Sequence, residues 1–220
     1  MPGTEPAAAA APGISEPGLQ PLDLGGNRSA LLYVPSTYRS DHPAPLVVML
    51  HGAGGDPQGG LDPFVRLADD KGLILLAPAS GGPTWDVVMG RYGPDMRSID
   101  HALERIFARY RVDSSRLAIE GFSDGASYAL SLGLSNGDLF THVIAFSPGF
   151  RVSGTRRGAP RVFISHGRQD PVLPIASTSR RIVPKLEEDG YDVTYREFDG
   201  PHSVPPSLAE EALAWLVSTG

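Results

Sequence analysis

Apolar residues along this chain fall into short runs, and segments of helical periodicity separate those runs. Most of the runs are apolar throughout, which is typical of strands in a parallel sheet that helices cover on both faces. The pattern predicts seven strands, over residues 30–34, 46–51, 73–77, 117–121, 142–147, 161–166 and 192–198.

The clearest helical periodicity lies in residues 95–111, where five apolar side chains share one face: Ile99, Leu103, Ile106, Phe107 and Tyr110. Four further helices are predicted over residues 61–71, 123–134, 177–189 and 206–218. Because strands and helices alternate, the chain is predicted to be an α/β protein with a mostly parallel, doubly wound sheet and helices on both faces.

The first 25 residues have a different composition. Prolines interrupt an alanine-rich stretch that has little apolar bulk, so we expect a disordered Pro/Ala-rich lead over residues 1–25 and a single α/β domain over 26–220. The lead lacks the basic start of a secretory signal, and no uninterrupted apolar stretch could span a membrane. We therefore expect a cytoplasmic protein without a membrane span.

Composition narrows the possible chemistry. The 220 residues include no cysteine, which excludes disulfide scaffolds, cysteine-ligated zinc and a thiol nucleophile. The formal net charge is −6 and no Lys/Arg run exceeds two residues, which argues against a nucleic-acid partner. We expect a small-molecule substrate, a monomer or homodimer, and no cofactor or metal.

Two segments match the pattern G-x-S-x-G, residues 121–125 and 133–137. A nucleophilic serine in this pattern needs a strand before it and a helix after it, so that the sharp turn exposes its hydroxyl. Ser123 has that context, whereas Ser135 ends a predicted helix, and Asn136 and Gly137 are typical of a C-cap. We predict Ser123 as the nucleophile; the alternative is an ordinary glycine-rich turn.

A serine nucleophile needs a base and a carboxylate that orients it. His202 follows the last predicted strand, where the chain order Ser, acid, His places the base, and Asp170 lies in an Asp-Pro loop after the sixth. Asp199 is a rival acid, but it lies only three residues from His202 and would reach the outer imidazole nitrogen with difficulty. The alternatives are a surface-turn histidine for His202 and a turn-initiating aspartate for Asp170. His166 ends the sixth predicted strand near the same edge and is predicted to be a structural turn residue.

A glycine-rich loop, residues 51–55, follows the second predicted strand. An oxyanion needs two backbone N–H donors, and we predict Ala53 from this loop and Asp124, the residue after the nucleophile. A phosphate-binding loop is the alternative, but the G-x-G-x-x-G spacing after the first strand and a Walker lysine are both missing.

Taken in order, residues 50–55, 116–125, 166–171 and 200–202 resemble the α/β-hydrolase superfamily. The chain looks like the small, lidless carboxylesterase/phospholipase group that includes acyl-protein thioesterases, and like bacterial esterases related to polyhydroxyalkanoate depolymerases and feruloyl esterases. The resemblance implies the α/β-hydrolase fold and a serine carboxylesterase with a Ser-His-Asp acyl-enzyme mechanism. Asp124 departs from the Gln, Ala or Met of many relatives, and Gly125-Ala126 stands where Gly-Gly is common.

Substrate size depends on the loops. About 13 residues separate the strands predicted over 142–147 and 161–166, which leaves no room for a cap domain, so we expect an open pocket for small or short-acyl esters. Trp85, Met89 and Tyr92, in the glycine-rich segment 79–94, are the predicted pocket wall; the alternative is a mobile surface loop.

An acyl thioesterase or lysophospholipase, or a noncatalytic binding module, remains as a competing function. The lack of cysteine excludes a cysteine-dependent dienelactone hydrolase, and the missing cap disfavours a peptidase.

Overall fold

A computed structural model describes residues 16–25, 29–89, 93–152 and 154–218, and they form one eight-stranded sheet. The strands are β1 (Gly18–Asp23), β2 (Ser29–Val34), β3 (Ala44–Leu50), β4 (Ile74–Pro78), β5 (Val112–Phe122), β6 (His142–Phe146), β7 (Arg161–Gly167) and β8 (Val193–Phe198). Their order across the sheet is β1-β2-β4-β3-β5-β6-β7-β8. The β1–β2 and β2–β4 pairs are antiparallel and the other pairs are parallel, so the predicted mostly parallel sheet is confirmed.

Helices pack on both faces of the sheet, as predicted. They are α1 (Pro57–Leu61), α2 (Ala68–Lys71), α3 (Pro94–Arg109), α4 (Asp124–Ser135), α5 (Ser179–Glu188) and α6 (Pro206–Val217), and two short 3-10 helices cover Val65–Leu67 and Asp86–Met89. One apolar layer joins the sheet to α3, α4 and α5, and the other joins it to α1, α2 and α6. Every residue of the central strand β3 is buried, because both of its faces are covered.

The prediction of one helix over residues 61–71 is wrong, because α1, a 3-10 turn and α2 share this segment. Asp56 caps α1, accepting a hydrogen bond from the Gly59 N–H at 2.8 Å. Pro63 has no N–H to donate and its ring blocks a continuous helix, so α1 ends before it. Helix α2 ends at Gly72, whose φ of +64° suits a residue without a side chain.

Strand β1 corrects the predicted boundary of the disordered lead, residues 1–25. It pairs antiparallel with β2 over six residue pairs, and Leu22 and the following Leu24 are buried in the core. Pro21 is tolerated because β1 is an edge strand that needs hydrogen bonds on one side only. This segment forms a strand because it pairs with β2. Its own short pattern of apolar residues did not predict a strand. Residues 1–15 lie outside the described part of the chain.

Within the described ranges, no helix has the length and apolar character needed to cross a bilayer.

The connection between β6 and β7 bears on access to the carboxyl edge of the sheet. Its described residues, 147–152 and 154–160, contain no helix. These described residues add no helical cap to the carboxyl edge of the sheet, where the predicted site residues lie.

Candidate active site

Ser123 occupies a sharp turn between β5 and α4. Its φ of 57° and ψ of −118° lie in a region that side-chain-bearing residues rarely adopt, so the turn is strained. The Ser123 N–H donates to the carbonyl of Phe146 at the end of β6, at 2.9 Å, which ties the turn to the neighbouring strand. This is the strand–turn–helix geometry that exposes a nucleophilic hydroxyl.

The two glycines of the motif allow the turn to pack closely. A Cβ atom on Gly121 would lie 2.3 Å from the carbonyl oxygen of Gly125, and one on Gly125 would lie 2.1 Å from that of Leu50, at the end of β3. No larger residue fits either position without a backbone shift. Ser135, in the second G-x-S-x-G, is the last residue of α4, and its hydroxyl donates to the Ser131 carbonyl at 2.8 Å. The two serines therefore differ in backbone context.

Asp170 and His202 lie in contact. The Nδ1 atom of His202 is 2.6 Å from Oδ2 of Asp170; the carboxylate side chain is fully buried and the imidazole is 13% exposed. With Nδ1 donating to the carboxylate, Nε2 of His202 is left to accept a proton. The rival acid, Asp199, instead forms an exposed ion pair with Arg168 at 3.0 Å.

Two contacts connect the base to the rest of the site. The ring of Phe122, the residue before the nucleophile, lies 4.6 Å from the His202 ring, centroid to centroid. A Cβ atom on Gly167 would lie 2.4 Å from the carbonyl oxygens of both Gly200 and Pro201. The end of β7, which precedes the acid, therefore meets the backbone of the histidine loop, an approach that only glycine permits.

Asp170 is held as a carboxylate by a full set of donors. Burial alone would raise the pKa of Asp170, but hydrogen bonds from the Leu173 N–H, His202 and the Val172 N–H outweigh it and bring the pKa below its usual value. The two backbone donors lie 2.8 and 2.9 Å from Oδ1. Asp170 is therefore ionised at neutral pH and able to stabilise a charged imidazole.

A second histidine also touches this carboxylate. Nε2 of His166 lies 3.1 Å from Oδ2 of Asp170 and 2.8 Å from the Leu173 carbonyl, while its Nδ1 lies 2.7 Å from the Ser179 hydroxyl. Burial lowers the pKa of His166, so the ring is neutral and these contacts assign its proton to Nε2. His166 was predicted to be a structural turn residue; its position four residues before Asp170 was the available signal for this contact.

The predicted oxyanion donors lie on two segments that meet at Ser123. A Cβ atom on Gly52, beside the exposed Ala53, would lie 3.5 Å from the Cβ of Ser123. Asp124 is the first residue of α4, where backbone N–H groups have no partner within the helix. The arrangement can offer N–H groups from both sides of the nucleophile to a developing negative charge.

The predicted pocket wall is corrected at Trp85. Its side chain is fully buried, stacks on Tyr128 with ring centroids 5.3 Å apart, and donates from Nε1 to the His51 carbonyl at 2.8 Å. Trp85 therefore supports the glycine-rich loop from the core and does not line an open pocket. Tyr92 and the side chain of Met89 lie outside the described residues.

A groove of about 640 Å³ lies beside Phe122, between residues 59–67 and the start of α6. Its lining mixes apolar side chains with the charged side chains of Asp62, Arg66 and Glu210. It is lined by Gly59, Asp62, Pro63, Val65, Arg66, Leu67, Phe122, Val204, Pro206, Ala209 and Glu210. Because Phe122 lines the groove, precedes Ser123 in the chain and contacts the His202 ring, the groove adjoins the triad residues.

Among the described residues, no group of three or more His, Asp or Glu side chains is arranged so that it could hold a metal ion. The chemistry available to the site is that of the serine hydroxyl, the imidazole, the carboxylate and the backbone donors.

Comparison with known proteins places this geometry in context. Residues 23–206 match the family described as "Putative esterase". A "Probable feruloyl esterase C" from Aspergillus oryzae is 28% identical over 171 residues, covering 71% of this chain and 62% of that protein. The chain spans about three fifths of the length of such curated relatives.

Solved structures give the same assignment. A thermostable esterase superposes with a TM-score of 0.72 at 26% identity, covering 86% of this chain and 58% of the other. The acetyl xylan esterase from Aspergillus awamori superposes with a TM-score of 0.70 at 19% identity, covering 90% and 98% of the two chains. At that identity the second likeness speaks for the fold alone, and it is the α/β-hydrolase fold that the sequence predicted.

Proposed function

Because the chain belongs to the putative esterase family and has the α/β-hydrolase fold, we propose that it is a serine carboxylesterase that hydrolyses small or short-acyl esters. One observation carries the proposal: the 2.6 Å contact between His202 and the buried Asp170, next to a serine held in a strained turn. The lack of a helix among the described residues between β6 and β7 supports an accessible site for small substrates.

In the first half of the reaction, the Ser123 hydroxyl attacks the ester carbonyl carbon and His202 Nε2 takes its proton. The carbonyl oxygen becomes an oxyanion, which the backbone N–H groups of Ala53 and Asp124 stabilise. Asp170 remains ionised and stabilises the imidazolium. The tetrahedral intermediate collapses, the bond to the alcohol oxygen breaks, and the alcohol leaves with the proton from His202.

In the second half, water replaces the alcohol. His202 removes a proton from the water as its oxygen attacks the acyl carbon attached to Ser123, and the same backbone donors hold the second oxyanion. Collapse releases the carboxylic acid and returns the proton to the serine oxygen. The enzyme is restored, and one water has been consumed for each ester cleaved.

The two serines of the G-x-S-x-G motifs offer a matched test. Ser123→Ala should lower kcat for p-nitrophenyl acetate by about four orders of magnitude or more and abolish labelling by a fluorophosphonate probe. Ser135→Ala removes an equivalent hydroxyl one helix away and should keep both activities. Labelling that survives in the Ser123 variant would contradict the proposal, and an unlabelled wild-type protein would favour a noncatalytic binding module.

The groove beside Phe122 favours a second candidate, an ester with a bulky aromatic acid. Its volume of about 640 Å³ exceeds what an acetyl group needs and lies within the usual range of ligand pockets. Relatives named as feruloyl esterases give the same direction. The ratio of kcat/KM for a feruloyl ester to that for an acetyl ester of the same alcohol decides between the two candidates.

A further inference from the structure

Residues 80–86, which we call the brace loop, contact both segments that carry the oxyanion donors. The carbonyl of Pro83 accepts a hydrogen bond from the N–H of Gly54, the residue after Ala53, at 2.6 Å. The next residue, Thr84, donates its hydroxyl proton to Oδ2 of Asp124 at 2.7 Å. Two adjacent residues therefore join the glycine-rich loop to the first residue of α4.

The brace loop is itself fixed to the start of α3. The buried carboxylate of Asp95 accepts the N–H of Gly81 at 2.8 Å and the N–H of Asp86 at 2.9 Å. Asp86 in turn accepts the N–H of Asp95 at 2.9 Å. Because these bonds hold the loop at both ends, the positions of Pro83 and Thr84 are set by the scaffold.

The Asp124 side chain explains why such a brace is needed. An acidic residue in the first turn of a helix is favourable for the helix dipole, which accounts for Asp124 but not for its contact with Thr84. The same carboxylate lies one residue from the nucleophile, where its negative charge opposes a developing oxyanion. A hydroxyl donated to a carboxylate is a strong, charge-assisted hydrogen bond, which both fixes the side chain and offsets part of its charge.

We infer that Thr84 is a positioning residue for the oxyanion hole and acts through Asp124 on the Asp124 N–H. This inference rests on the proposed esterase function. Oxyanion donors work when they lie about 2.7–3.1 Å from the position that the oxyanion will occupy. A small displacement of Asp124, the first residue of α4, therefore weakens the hydrogen bond that its N–H donates to the oxyanion. Thr84 suits this role because its branched side chain has few rotamers.

The test compares three variants with p-nitrophenyl acetate as substrate. Thr84→Val keeps the shape and removes the donor; we expect kcat to fall by about tenfold, less than the loss of a whole donor, with KM within about twofold of wild type. Inhibition by a trifluoromethyl ketone, whose adduct places an oxyanion in the hole, should weaken by the same factor. Thr84→Ser retains the hydroxyl and should recover most of the activity.

Ser80→Ala is the matched control, because it removes a side-chain hydrogen bond of the same loop, to the Gly82 carbonyl, that does not reach the hole. Wild-type kcat and inhibitor affinity in Thr84→Val would overturn the inference, and so would equal losses in Thr84→Ser or Ser80→Ala. If the valine variant does not fold, Thr84→Ala is judged by the same criteria. A wild-type protein without ester turnover refutes the proposed function and this role together, and that outcome is visible before any variant is made.

Discussion

Glu120, three residues before the nucleophile, is a carboxylic acid buried within the sheet. It lies on β5 between Met49 of β3 and Ile144 of β6, is 1% exposed, and neither carboxyl oxygen has a hydrogen-bond partner among the described residues. Burial raises the pKa of Glu120 well above its ordinary value of 4.5. Since the charged form is disfavoured in the folded state, the residue is protonated there over a wider pH range than in the unfolded chain.

This shift gives the stability of the protein a signed pH dependence. Well below pH 4.5 both states hold the proton, so Glu120 makes no pH-dependent contribution to the free energy of unfolding; above that pH the unfolded chain gains stability by ionising, until the pH passes the raised pKa. Glu120→Gln should therefore raise the free energy of unfolding relative to wild type at pH 8, by about 1.4 kcal/mol per unit of pKa shift, but not at pH 4. Urea unfolding at the two pH values measures the difference.

The exposed Glu188 provides the control for this measurement, since Glu188→Gln should differ from wild type by the same small amount at both pH values. A Glu120→Gln variant whose advantage is equal at pH 4 and pH 8 would mean that the carboxyl does not titrate abnormally.

At the scale of single residues, the sequence was informative where a motif fixes the backbone. Ser123, Asp170 and His202 were selected from turn context and chain order, and the structure brings the last two into contact. Thr84 was not identified because its partner Asp124 lies 40 residues away and only the fold brings them together. Trp85 was assigned to a pocket because it is aromatic and lies in a glycine-rich loop, whereas its partners are core residues.

Among the elements, strands were predicted more accurately than short helices. The buried strands β3, β4, β6 and β7 carry apolar runs that reflect burial on both faces, which a pattern of residue types records directly. Strand β1 forms because β2 pairs with it, and the break between α1 and α2 arises at Pro63. The spacing of apolar residues records neither the pairing nor the proline.

The segment that was predicted as one helix forms a wall of the groove beside Phe122, and this leads to a prediction. Val65→Trp fills part of that groove, so kcat/KM for a feruloyl ester should fall by about tenfold or more while that for an acetyl ester stays near wild type. Glu210→Gln, at the exposed rim of the same groove, should change neither value much. Equal losses for the two esters in Val65→Trp would exclude the groove as the acyl site.

At the scale of the whole molecule, the question is where the folded domain starts. The sequence set the boundary at residue 26, because the preceding stretch has too few apolar residues to predict a strand. The structure adds β1 to the sheet, and with it a hairpin that covers the edge of β2. The new edge of the sheet is β1, and an edge strand that carries a proline, here Pro21, pairs less readily with other chains because the proline has no N–H to donate.

Two leucines of β1 test whether this strand belongs to the cooperative unit. Leu22 is 5% exposed and Leu24 beside it is also buried, whereas Leu19 in the same strand is 47% exposed. Leu22→Ala should lower the free energy of unfolding by about 2–3 kcal/mol, because it leaves a cavity in the layer that α3 and α4 share, whereas Leu19→Ala should cost less than about 0.5 kcal/mol. Urea unfolding, monitored by far-ultraviolet circular dichroism, measures both values. If both substitutions were neutral, β1 would be peripheral to the fold and the boundary near residue 26 would stand; a selective loss at Leu22 places the start of the domain at or before Gly18.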